Sequence, residues 1–336
     1  MIYFGILIAL FLIEIIYFKI ADKLNIVDRP NERSSSKGIV LCGGGIIFTI
    51  AVMLWIVWQG GQEYLPFAIG LILAAGVSFI DDIKTVPISI RLMVQFFAMA
   101  LMFYQLDMLH ADLWWAVILA LIVCVGASNI INFMDGINGI TGGYAMASLI
   151  PLALLNSSGV QGVQGFVDNS LIITMMLADV VFCFFNFREK GKAKCFAGDV
   201  GSVGVAYILL FMIGSLVMAT GDITYLIFLL VYGVDGCLTI VHRIMLHENL
   251  GQAHRKHAYQ LMANELGMSH ITVSLLYACI QLAISLVFIY LVPNTVMAHW
   301  IYLVCVLVVL SLAYILFKMK YYHLHEEYLK SLENRA

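Results

Sequence analysis

The chain has 336 residues; 62% are hydrophobic and only 12% are charged. A soluble domain of that size could not hide so much apolar surface, so the composition excludes one and points to a polytopic membrane protein. The net charge of −3 identifies no partner.

Apolar runs of spanning length recur along the chain. They cover residues 2–20, 43–59, 65–80, 92–106, 113–131, 137–155, 170–187, 203–219, 223–241, 271–292 and 297–317. This predicts an all-α fold of about eleven transmembrane helices in a single domain over residues 1–336. Residues 1–17 have no basic start and no small-residue cleavage site, so they read as the first span and not as a leader. The seven cysteines form no CxxC pair, so neither a disulfide nor a zinc site is expected.

The connecting segments alternate in character. One set is long and polar: residues 21–42, 81–91, 132–136, 188–202, 242–270 and the tail from 318. The other set is short or poor in basic residues. All 18 Lys and Arg fall in or beside the first set, which the positive-inside rule assigns to the cytoplasm. With an odd number of spans, the amino terminus lies outside. The tail, residues 318–336, reads as a short cytoplasmic amphipathic helix.

The cytoplasmic segments carry the polar chemistry. Asp81 and Asp82 end the third span, where they oppose both the helix dipole and each other. Such a pair could accept a proton and steer a cation, and nearby Arg91 could grip a phosphate. A solvated loop start is the plainer alternative. Asn129, Asn132, Asp135 and Asn138 follow in a glycine-rich stretch. If helical, the last three share one face; their oxygens suit a hard cation, and amides can also read a base edge. Asp199, in Phe196-Ala-Gly-Asp-Val-Gly-Ser, precedes a long apolar run. It could simply cap a helix, but an acid at a membrane edge is a functional candidate. Asp235 and Asp179 lie inside apolar runs, where either could be a polar contact between helices. The loop His254-Arg255-Lys256-His257-Ala258-Tyr259-Gln260 reads as a phosphate grip, or as an exposed cationic loop.

These motifs, running in order from Asp28-Arg-Pro-Asn through Lys37-Gly and Gly43-Gly44 to the 254–260 loop, resemble the polyprenyl-phosphate N-acetylhexosamine-1-phosphate transferase superfamily (glycosyltransferase family 4). Its members include the enzymes that initiate O-antigen, the MurNAc-pentapeptide translocase and the dolichyl-phosphate GlcNAc-1-phosphate transferase. The 254–260 loop is more similar to the O-antigen-initiating branch than to the translocase. The resemblance implies transfer of a sugar 1-phosphate from a UDP-N-acetylhexosamine to undecaprenyl phosphate in the bacterial cytoplasmic (inner) membrane. UMP is released and Mg²⁺, or Mn²⁺ in its place, serves as cofactor. It implies that Asp81 or Asp82 deprotonates the lipid phosphate, that Asp199 and Asn132 bind the metal, and that Lys37 and Arg91 hold the diphosphate. It further implies that Asn129, Asp135, Asn138 and Phe196, and Asn132 as an alternative to its metal role, contact substrate, and that His254, Arg255 and His257 close on the phosphates. Two features depart from the pattern: no proline precedes Gly43-Gly44, and Asn138 stands where several relatives have aspartate. No nucleic-acid partner is expected, and a homodimer is compatible with the resemblance. A different class, an ion-coupled transporter or lipid flippase using the acid cluster, would instead place its charges at mid-membrane in paired broken helices.

Overall fold

The structure is a computed structural model that describes residues 2–28, 40–110, 112, 114–252 and 254–333, with the side chains of 332 and 333 excepted. Twelve named helices account for most of it: α1 (Ile2–Lys23), α2 (Ile46–Gln59), α3 (Leu65–Ile83), α4 (Ile88–Gln105), α5 (Trp114–Phe133), α6 (Ile140–Ser158), α7 (Asn169–Asn186), α8 (Gly198–Thr220), α9 (Leu230–Met245), α10 (Ala258–Asn264), α11 (His270–Tyr290) and α12 (Val296–Glu333). A 3₁₀ segment, Ile223–Leu229, leads directly into α9. Among the described residues, ten helical segments are long and apolar enough to cross a membrane, and α2 is a shorter apolar helix. The expected runs and the observed helices correspond one to one, with α10 added as a short helix between two spans.

Three details differ from the sequence reading. The tail is not a separate helix: α12 runs unbroken for 38 residues. No Gly or Pro lies between Val296 and Glu333, so nothing stops the helix where the apolar run ends. Asp81 and Asp82 belong to the last turn of α3, and Arg91 to the first turn of α4, which leaves only residues 84–87 as linker. Finally, the chain contains two short strands, β1 (Val27–Asp28) and β2 (Val40–Leu41), paired antiparallel.

Helix α8 is the axis of the bundle. Every residue from 200 to 213 is buried, as expected for a helix that is apolar on all faces. It packs on α2, α3, α5 and α6. Phe67 of α3 stacks on Phe211 with ring centroids 4.0 Å apart, and the Tyr207 hydroxyl donates to the Ala98 carbonyl at 2.9 Å. By contrast α12 buries little of its apolar surface, leaving Leu307, Val308, Val309 and Leu312 exposed on a face suited to lipid.

The start of α8 is fixed by backbone contacts. The Phe196 amide donates to the Leu41 carbonyl of β2 at 2.8 Å, and the Gly44 and Gly45 amides donate to the Phe196 and Ala197 carbonyls at 2.9 and 3.1 Å. Gly45 and Gly201 meet where the first turns of α2 and α8 cross. A Cβ on Gly201 would lie 2.5 Å from the Gly45 Cα, which is backbone and cannot swing aside. Gly201→Ala should therefore cost about 1–3 kcal/mol through overpacking. It should lower the thermal melting midpoint of the detergent-purified protein; a melt matching the parent would show that the crossing tolerates a methyl group.

Candidate active site

Asp82 and Asp199 lie 117 positions apart in sequence, and the structure joins them directly. The Asp82 carboxylate accepts the backbone N–H of Asp199 at 2.8 Å and of Val200 at 3.0 Å. It thus satisfies two of the amides that a helix N-terminus leaves without partners, and its charge sits at the positive end of the α8 dipole. The cap on α8 is Asp82, reaching across from α3; Asp199 lies inside the first turn and does not cap the helix. Gly198 makes the approach possible. Its φ is +71°, and a Cβ there would lie 2.6 Å from the Asp82 carboxylate and 2.9 Å from the Gly43 nitrogen. The Cys42 thiol also donates to Asp82, at 3.6 Å.

Arg91 faces the same carboxylates. Its guanidinium lies 2.5 Å from the Asp81 carboxylate and 3.0 Å from that of Asp199. Asp81 also accepts the Val86 amide at 2.6 Å, closing the turn between α3 and α4. Arg91 was expected to grip phosphate; here it bridges two acids, because three charges at a membrane edge are least costly when paired. Asp81 does not line the cavity described below, so the two members of the acid pair differ in position.

The glycine-rich stretch is not one helical face. Helix α5 ends at Phe133, and residues 134–139 form an irregular turn closed by Gly139 at φ +83°. A Cβ on Gly139 would lie 2.6 Å from the Phe187 ring. The turn nonetheless brings Asn132, Asp135 and Asn138 to the same cavity. The Asn132 side-chain oxygen accepts from Ser202 of α8 at 2.9 Å. Asp135 accepts from the Thr141 hydroxyl. Burial pushes the Asp135 carboxyl up to about 7; the Thr141 bond pulls against the rise and the Asp199 charge adds to it. The Asn138 amide donates to the Arg188 and Glu189 carbonyls at 3.0 and 2.9 Å, so it also clamps the loop that leads to Phe196.

One cavity of about 290 Å³ collects these groups. Its lining includes Asp82, Asn132, Asp135, Asn138, Phe196 and Asp199. Sequence reasoning missed Cys42, Asn186, Gln260 and His270, and gave Asp28 no role; all five line the cavity. Gln260 was quoted within its loop without a separate role, and His270 was read only as a loop end. Asn186, Gln260 and His270 reach the cavity through the packing of their helices, and Asp28 and Cys42 through the β1–β2 pairing and the turn after it. His270 is held by the backbone N–H of Asn138, which donates to its Nδ1 at 3.2 Å.

Other expected residues lie elsewhere. Asn129 donates to Gln95 and to the Val125 carbonyl, at 2.8 Å each, within the helix packing. Arg255 pairs with Glu265 at 2.9 Å. His257 lies 3.2 Å from Asp235 and caps α10, and His254 stacks on it at 5.0 Å. None of these four lines the cavity. Burial, then the neighbouring His257 and Arg243, push the His254 imidazole down to about 3. Asp235 also accepts from Ala258, Tyr259 and Tyr277, which makes it the anchor of the 254–260 loop. Lys37 lies outside the described residues.

The donor set at the cavity consists of carboxylate and amide oxygens, which is the chemistry of a hard divalent cation. Among the described residues, no three His, Cys, Asp or Glu side chains are grouped as a metal cage.

Comparison with known proteins adds a second line. The family described as "Glycosyl transferase family 4" matches residues 64–220, a stretch that holds all the cavity-lining residues named in the sequence except Asp28, Gly43–Gly45's neighbour Cys42, and those after α8. A "Probable undecaprenyl-phosphate N-acetylglucosaminyl 1-phosphate transferase" of Bacillus subtilis is 25% identical over 284 residues, covering 79% of this chain and 76% of its own length. An "Undecaprenyl-phosphate alpha-N-acetylglucosaminyl 1-phosphate transferase" of Yersinia pestis is 26% identical over 213 residues, covering 58% and 56%. A "Phospho-N-acetylmuramoyl-pentapeptide-transferase" of Thermotoga neapolitana is 35% identical over 91 residues, 27% of each chain. These findings support the likeness of this chain to glycosyl transferase family 4, the superfamily of polyprenyl-phosphate hexosamine-1-phosphate transferases.

Proposed function

We propose that this protein transfers an N-acetylhexosamine 1-phosphate from a UDP-sugar to undecaprenyl phosphate and releases UMP. The observation that carries the reading is the meeting of Asp82, Asn132, Asp135 and Asp199 around one cavity, from α3, α5, the turn after it and α8. The relatives' names support the acceptor and the reaction class. They also make UDP-N-acetylglucosamine the first donor to test. The transporter or flippase alternative is not favoured, since each relative described above is named as a transferase.

In this reading the cavity opens to the cytoplasm of a bacterial inner membrane, because its residues sit at the helix ends that carry the basic residues. A water-soluble donor then enters from the cytosol, and the lipid phosphate arrives between helices. A place early in O-antigen or other surface polysaccharide synthesis follows if the product is the lipid-linked sugar.

Asp199 and Asn132 are the residues that would hold Mg²⁺, or Mn²⁺, which when bound offsets the charge of the donor diphosphate. Arg91 keeps the Asp199 carboxylate oriented and balances the local excess of negative charge. Asp82 is favoured over Asp81 as the acceptor of the lipid-phosphate proton because it lines the cavity and Asp81 does not. The freed phosphate oxygen attacks the sugar-bearing phosphorus. A new P–O bond forms as the bond to UMP breaks, and UMP carries the electron pair away. Asn138 and Phe196 lie where an amide and a ring could hold the uracil.

Two outcomes test this. Asp199→Asn should lower UMP release from UDP-N-acetylglucosamine and undecaprenyl phosphate by about 10³-fold, as expected for loss of a group that meets charge at the reacting centre. The variant should still give a cooperative melt; activity near that of the parent would remove Asp199 from the site. With a donor made chiral at the sugar-bearing phosphorus, direct attack gives inversion. Net retention would instead require a covalent enzyme intermediate, with an aspartate as nucleophile.

A further inference from the structure

The part of α12 beyond the apolar run packs against the 254–260 loop. The Lys318 ammonium donates to the Lys256 carbonyl and lies 4.9 Å from the Tyr322 ring centroid. His325, which is 1% exposed, lies 3.0 Å from the Glu265 carboxylate. The same Glu265 oxygen accepts from the Arg255 guanidinium, which in turn lies over the Tyr328 ring at 4.2 Å. One end of α12 thus grips the chain on both sides of α10: Arg255 and Lys256 before it, Glu265 after it.

The loop is held from the membrane side as well. Asp235 accepts the Ala258 and Tyr259 amides and the Tyr277 hydroxyl. Between these two anchors α10 presses on the cavity wall. The Tyr259 hydroxyl donates to the Phe133 carbonyl at 3.0 Å, and Gln260 lines the cavity. Gly136 has no room for a Cβ, which would lie 2.2 Å from the Tyr259 hydroxyl. The wall it touches is the end of α5 and the turn after it, which carry Asn132 and Asp135.

We propose that the cytoplasmic end of α12 is a strap that sets the position of the cavity wall through α10, with Arg255, Glu265, His325 and Tyr328 as positioning residues. The buried Arg255–Glu265 pair suits this role better than a stabilising one. The Arg255 Nε and one Glu265 oxygen are buried with no hydrogen-bond partner. Such a pair contributes little net stability, yet removing one member strands the other's charge. It fixes geometry because neither member can leave alone.

The strap rests on the transferase reading for its effect on turnover, so its test carries a readout independent of turnover. Amide hydrogen exchange across residues 254–265 reports whether the loop is held; kcat and donor KM report whether the wall is placed. Tyr328→Ala should speed exchange there severalfold and lower kcat roughly tenfold, with donor KM within about threefold, the pattern of a displaced catalytic wall. Arg255→Gln and Glu265→Gln should each lower kcat, and the double variant should be no worse than the poorer single, because each single already breaks the shared contact. Parent-like exchange in Tyr328→Ala, or losses that multiply in the double variant, would overturn the strap. A large rise in donor KM for Arg255→Gln alone would also overturn it, by making Arg255 a substrate ligand. If the parent releases no UMP from any UDP-N-acetylhexosamine, the transferase reading fails, and the exchange measurements still decide whether the strap exists.

Discussion

The bond on which the site depends is the one between the Asp82 carboxylate and the first amides of α8. A helix as apolar as α8 must start somewhere, and its opening N–H groups need acceptors. Asp82 supplies them from a different helix. This single contact ties the end of α3 to the start of α8 and brings the Asp199 side chain to the mouth of the cavity. It also forces Gly198 into a left-handed conformation that a side chain would oppose.

The other constraints follow from how little space that junction leaves. Gly45 and Gly201 let α2 cross α8 at backbone contact, so the Gly43–Gly45 turn lies directly on the residues that precede Asp199. Arg91 then meets two acids at once, Asp81 and Asp199. Charge at a membrane edge is expensive alone and cheaper in an alternating cluster. The polar groups are therefore packed together for a physical reason that also suits chemistry on a diphosphate: several hard oxygens line a cavity of about 290 Å³, and a guanidinium pairs with one of them, Asp199.

Further contacts support the cavity from the polar C-terminal end of α12. The apolar faces of α12 meet few protein neighbours, so its membrane portion contributes little to the core. Its polar end does more. It reaches the short helix α10, and through Tyr259 and Gln260 it reaches the wall of the site.

Much of the architecture is written in the chain itself. Spanning length, apolar runs and the scarcity of charge fix the number and order of the helices, because backbone groups in a bilayer must be satisfied within each segment. The acids and amides that line the cavity were also visible, since Asp82, Asn132, Asp135 and Asp199 stand out against apolar surroundings. What the chain could not show by itself was the partner of each polar group. Whether Asp199 caps a helix or is presented by one depends on a carboxylate 117 positions away. Whether Arg91 meets a phosphate or two acids, and whether Arg255 faces the cavity or Glu265, depends on how α4 and α10 are set against their neighbours. Cys42, Gln260 and His270 carry no local signature and enter the site only because the helices and turns bearing them converge. Hydropathy acts along the chain and is legible in it; hydrogen bonds and ion pairs here act between distant segments, so only the packed structure decides them.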